Sequence, residues 1–140
     1  MAKLLKITKP GEINAVNDLI HDCYFDVADI AYDPPTAVLS FKFRKVVTTG
    51  QPWWKYFVST SNMYPAVEGN LRILYVESYS INDTEKIGTY DFNVLHFAAT
   101  SRCIRVDTNV PIDIRVKVRG FEICVEITDN ILLPPAGKKG

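Results

Sequence analysis

Three consecutive residues, His21-Asp22-Cys23, have side chains of the types used in nucleophilic catalysis. Successive residues of a helix point about 100° apart, so these three cannot converge on one another and would need partners from elsewhere in the fold. His96 lies in an alternating pattern between Leu95 and Phe97 and reads as a structural histidine of a strand. Asp18, Asp22 and Asp26 recur every four residues, a spacing at which like charges repel. They read as a solvated helix face, without the loop a calcium site of the helix-loop-helix type requires. The cysteines Cys23, Cys103 and Cys124 show no pair at metal-ligand spacing, each stands beside apolar residues, and all three are expected as reduced thiols. No catalytic residue, metal ligand or cofactor is assigned from these residues. An active site is the alternative, and the fold would have to assemble it around His21, Asp22 or His96.

Charge and aromatic residues offer a second kind of chemistry. Residues 1 to 40 carry three basic and six acidic side chains, whereas residues 41 to 60 carry four basic and none acidic. Arg115, Lys117 and Arg119 alternate along one predicted strand, and Lys42 and Arg44 along another. If those strands were neighbours, the sheet would expose a basic patch suited to an acidic protein or a phosphate-bearing ligand. The formal net charge is zero and the polar face between these bases holds no aromatic residue, which argues against nucleic acid. The segment Pro52-Trp53-Trp54-Lys55-Tyr56-Phe57 holds both tryptophans of the chain. Trp53, Trp54, Lys55 and Tyr56 therefore join Arg115, Lys117 and Arg119 as candidate partner-binding residues; the competing reading folds the rings back over the sheet.

Hydrophobic periodicity supplies the elements that would position these groups. Residues 3 to 7 read as a short strand. The run Thr8-Lys9-Pro10-Gly11-Glu12 favours a helix start, and Ile13, Val16, Leu19, Ile20, Cys23, Tyr24 and Val27 share one helical arc, which predicts a helix from 11 to about 24. Asp33-Pro34-Pro35-Thr36 predicts a turn and a hairpin across the two prolines, with Ala37, Leu39, Phe41 and Phe43 facing inward. Residues 47 to 70 read mainly as a loop, 71 to 81 and 89 to 98 as long strands, and 102 to 107 as a short one. Ile112, Ile114, Val116 and Val118 occupy even positions, and Phe121, Ile123, Val125 and Ile127 odd ones, so the parity flips at Arg119-Gly120. A two-residue turn there would make a hairpin pairing Val116 with Ile123; one long strand bent at the glycine would flip the parity too.

The length of 140 residues suits one core, and the apolar fraction of 47% is that of an ordinary globular chain. No apolar run approaches the roughly 20 residues that cross a bilayer, and the alternating first residues lack a signal-peptide pattern, so the cytoplasm is the expected compartment.

The stretches His21-Asp22-Cys23-Tyr24-Phe25-Asp26 through Ala28-Asp29-Ile30-Ala31-Tyr32-Asp33, and Ile81-Asn82-Asp83-Thr84-Glu85-Lys86-Ile87-Gly88-Thr89-Tyr90, resemble segments of small uncharacterised bacterial proteins. That resemblance implies a bacterial origin and a helix-then-sheet order, with no activity to carry over. The expectation is an α+β domain spanning 1 to 131, with one N-terminal helix on a meandering antiparallel sheet of about six strands and a flexible tail from 132 to 140. Its function is read as a non-enzymatic protein-interaction module.

Overall fold

A computed structural model describes residues 3–21, 23–46, 66–109 and 111–132. The described residues form nine strands and one short α-helix, in the order β1 (Lys3–Ile7), a 3-10 turn (Pro10–Glu12), α1 (Ile13–Ile20), β2 (Tyr24–Asp33), β3 (Val38–Val46), β4 (Ala66–Ile73), β5 (Val76–Asn82), β6 (Thr89–Ala98), β7 (Cys103–Thr108), β8 (Asp113–Val118) and β9 (Ile123–Leu132). They form one sheet in the order β1-β9-β4-β3-β2-β6-β7-β8-β5, and every neighbouring pair is antiparallel. This corrects the expected α+β domain of about six strands: among the described residues nine strands of sheet carry a single α-helix of eight residues. The undercount has local causes. The predicted strand 71 to 81 is two strands broken at Leu74-Tyr75, where Tyr75 takes a positive φ of 58°. The predicted loop 47 to 70 hides the start of β4, and β2 begins inside the predicted helix.

The predicted hairpin at Arg119-Gly120 is also corrected. Val116 pairs with Tyr79 and Ile104, whereas Ile123 pairs with Ile73 and Ile7. The parity flip belongs instead to a corner. Ile73 faces Ile123, the Leu74 N–H donates to the Glu122 carbonyl at 3.0 Å, the Arg119 N–H donates to the Tyr75 carbonyl at 2.8 Å, and Val76 faces Val118. Residues 66–82 and 113–132 thus form one antiparallel ribbon that bends from the β1-β9-β4-β3-β2 half of the sheet into the β6-β7-β8-β5 half. Gly120 suits the bend because a Cβ there would meet the Tyr75 ring at 3.2 Å.

Bending brings the inner faces of both halves onto one core. Ile114, Val116 and Val118 of β8 and Ile123, Val125 and Ile127 of β9 are buried in the same cluster. Phe25 stacks on Phe92 with ring centroids 4.6 Å apart, and Phe41 meets Phe25 edge-on at 5.6 Å. Burying rings of this size contributes roughly 1.5–3 kcal/mol each. The predicted hairpin across the prolines is present, with the turn closed by the Ala37 N–H donating to the Asp33 carbonyl at 2.8 Å.

The helix predicted from 11 is a 3-10 turn at Pro10–Glu12 leading into α1 at Ile13, with the Glu12 carboxylate accepting from the Thr8 and Lys9 N–H groups at 3.3 Å each, and it ends at Ile20 rather than near 24. Beyond it the backbone enters the ladder, where the Cys23 carbonyl accepts from the Phe92 N–H at 2.8 Å. Asp18 and Asp26 therefore stand on different elements, and the acidic helix face is not formed. Val16 and Ile20 seal the core, and Asn17 does a strand's work. Strand β2 pairs β6 only from Thr89 to Asp91, and further along β6 the Asn17 amide takes its place, donating to the Leu95 carbonyl at 3.2 Å and accepting from the Leu95 N–H at 2.8 Å.

Two predictions follow from this packing. Gly69 of β4 faces Phe43 of β3, and a Cβ there would strike the Phe43 ring and lie 2.9 Å from the Glu126 carbonyl oxygen. Gly69→Ala is expected to lower stability by about 1–3 kcal/mol in urea unfolding, and a smaller residue at 43 should restore part of it. The hydroxyl of the buried Tyr90 donates to Asp83 and anchors the β5–β6 connection. Burial, and then the bond to Asp83, raise its pKa above the ordinary value of about 10. With a raised folded value the stabilisation is full below about pH 10 and disappears as pH climbs through the folded value, since the unfolded phenol ionises first. The urea midpoint should fall more steeply above pH 10 in the wild type than in Tyr90→Phe.

Candidate interaction face

Strand alternation points one set of side chains of β6, β7, β8 and β5 away from the core, and register decides which of them become neighbours. His96 faces Arg105, Arg105 faces Arg115, and Arg115 faces Ser80. The next row toward the corner is Ala98, Cys103, Lys117 and Ser78. At the far end stand Val94 with Asp107, and Asp113 with Asn82.

The carboxylates hold the middle row in place. Asp107 accepts from Arg105 Nε at 2.9 Å and lies 3.0 Å from His96 Nε2, while Asp113 accepts from Arg115 Nε at 2.9 Å. The hydrogen bond to Asp113 raises the Arg115 pKa further and keeps the guanidinium charged. Lys117 and Arg119 are exposed, and no ion pair joins either to an acid among the described residues. Arg102, in a left-handed conformation with φ of 53°, donates through Nε to the Val118 carbonyl at 3.3 Å and through Nη2 to the Arg119 carbonyl. At the corner Lys117 and Arg119 outnumber Glu77, the exposed residue of the β5 bulge between Val76 and Ser78, so the face grades from acid at the Asp107–Asp113 end to base at the corner.

Of the residues singled out by sequence, Arg115, Lys117 and Arg119 meet on this face and its corner. Lys42 and Arg44 do not join them: β3 lies between β4 and β2, so the two basic strands are not neighbours and the combined patch is not formed. Trp53, Trp54, Lys55 and Tyr56 lie outside the described residues, as does Asp22; the segment that holds the aromatics leaves β3 and returns to β4 at the paired residues Val46 and Ala66. His21 is exposed just after α1, on a different element from His96. Arg105, His96 and Asp107 completed the face unforeseen, because only cross-strand register makes them neighbours.

The three cysteines are free thiols. Cys23 is buried in the core, as its place in the apolar stripe implied. Burial, with Glu122 nearby, pushes the Cys124 thiol up, away from a reactive thiolate. No group of three or more His, Cys, Asp and Glu side chains among the described residues could hold a metal ion, and no helix among them is long and apolar enough to cross a membrane.

Comparison with known proteins matches the chain to no family model, no curated protein and no solved structure.

Proposed function

We propose that the protein is a non-enzymatic interaction module that binds an acidic protein surface through the outer face of β6, β7, β8 and β5. The observation that carries this reading is the in-register row of His96, Arg105 and Arg115 with Lys117 and Arg119 beside it, graded so that positive charge gathers at the corner. Arg105 and Arg115, held by Asp107 and Asp113, lose little side-chain freedom on contact and orient a complementary partner, while the exposed Lys117 and Arg119 add charge that steers it. A protein partner is favoured over nucleic acid because no Phe, Tyr or Trp stands within the outward rows of basic residues; the exposed Tyr79 shares the register of inward Val116 and meets Tyr32, and the exposed Tyr75 lies beyond the rows at the corner. The aromatic segment around Trp53 and Trp54 belongs to the same proposal as a second contact.

The alternative, a small-molecule or catalytic site around His21 or His96, has less behind it. His96 is exposed and paired with Asp107, and the shallow groove beside this pair is lined by Asn93, Asp107, Thr108 and Asn109 without His96.

Labelled poly-glutamate provides the test. The wild type should raise its fluorescence anisotropy with an affinity that falls as salt rises. Arg115→Gln/Lys117→Gln/Arg119→Gln should weaken binding about tenfold or more, equivalent to about 1.4 kcal/mol. Lys42→Gln/Arg44→Gln, on the other half of the sheet, should bind as the wild type does. Equal binding by the triple variant, or tighter binding to single-stranded oligonucleotide than to poly-glutamate, would overturn the proposal.

A further inference from the structure

Strand β2 contains an irregularity that opens a recess. Phe25 faces Phe43 and Ile30 faces Phe41, so β2 spends five steps where β3 takes two. The surplus residues bow away from the ladder, held by the Val27 N–H donating to the Gly88 carbonyl at 2.8 Å. Beneath the bow lies a cavity of about 110 Å³, and its lining includes Tyr24, Asp26 and Asp29 of β2, Lys42 and Arg44 of β3, and Thr89 of β6. The two stretches 21–33 and 81–90 thus meet at this point.

The charges around the recess are of both signs and are not joined. Among the described residues no ion pair links Asp26 or Asp29 to Lys42, Arg44 or any other cation. Elsewhere on the sheet some opposite charges that share a face close on each other, as Arg115 does on Asp113 at 2.9 Å and Lys6 on Glu122 at 3.4 Å, whereas Arg44 faces Glu68 across the β3–β4 ladder with no ion pair between them. At the recess the backbone keeps them apart. Lys42 and Arg44 alternate on the outer face of β3, while the bulge carries the two carboxylates out of the β3 ladder.

A gap between two cations and two carboxylates discriminates by charge pattern. A simple anion drawn to Lys42 and Arg44 is repelled by Asp26 and Asp29, and a simple cation meets the reverse. A molecule with an ammonium group and a carboxylate a few ångströms apart satisfies both sides, each through charge-assisted hydrogen bonds. The volume equals that of three or four liquid waters at ~30 Å³ each, which fits a molecule of roughly half a dozen heavy atoms. We propose that the recess at the β2 bulge binds a small zwitterionic amino acid, its carboxylate toward Lys42 and Arg44 and its ammonium toward Asp26 and Asp29. This site is separate from the basic face and stands or falls without it.

The test is a titration of isotope-labelled protein, followed by amide chemical shifts, with glycine, L-alanine and L-serine as probes and with propionate and ethylamine as the two half-ligands. At least one of the amino acids should produce saturable shifts centred on residues 24–30, 42–44 and 89, with the half-ligands at least tenfold weaker. Arg44→Gln and Asp26→Asn replace exposed side chains, so both should keep the wild-type spectrum elsewhere and each lose at least tenfold in affinity. Absence of saturable shifts with all three amino acids would overturn the proposal. So would propionate binding as well as the amino acids, shifts centred elsewhere, or unchanged affinity in both folded variants.

Discussion

The hydrogen bonds from Leu74 to Glu122 and from Arg119 to Tyr75 carry two paired strands together around a corner, and the rest of the molecule is arranged by that shared bend. A flat sheet of nine strands would leave one apolar face in water. Turning both strands of the ribbon at the same point folds one half of the sheet over the other, so that Leu71 and Ile73 before the bend and Val76 after it reach a single core. Because the partners turn together, the ladder continues through the corner and few backbone groups lose their bonds there. The left-handed Tyr75 and the bare backbone of Gly120 are the local means by which this is achieved.

Placement of the surface chemistry follows from the same bend. It puts β8 between β7 and β5, which aligns Arg115 with Arg105 and Arg105 with His96, and it puts β3 in the other half, which takes Lys42 and Arg44 away from that row. Those two side chains instead border the recess left by the β2 bulge. One end of each half is sealed by α1, whose Asn17 acts as a substitute strand where β2 has parted from β6.

Much of the local structure was legible in the sequence, and most of the pairing was not. Alternation along 112–118 and 121–127 identified the inward positions, with Ile114, Val116, Val118, Ile123, Val125 and Ile127 buried and Ile112 and Phe121 partly so, because inward parity depends only on neighbours two residues away. Whether those runs pair with each other or continue around a corner leaves the parity flip at Arg119-Gly120 unchanged. That choice is made by Leu74 and Tyr75, some forty-five residues earlier in the chain, whose amide and carbonyl respectively supply the corner's bonds. Tyr24 and Val27 fall on the helical arc of Ile13 to Ile20, yet the chain leaves the helix because the Phe92 amide draws the Cys23 carbonyl into the ladder. The residues at the start of β4 look like loop because Gly69 interrupts them, and that glycine is required by the Phe43 ring on the adjacent strand. At the face, the alternation of Arg115 and Lys117 was visible; the contributions of Arg105, His96 and Asp107 depend on register, which no local pattern encodes.

The bent ribbon is tested most directly by cross-strand nuclear Overhauser effects among backbone protons of the folded chain. The structure predicts contacts between residues 116 and 79, between 74 and 122, and between 123 and 73. A set of contacts between 116 and 123 and between 114 and 125, with those three missing, would make 112–127 a hairpin and contradict the corner on which the fold and the basic face depend.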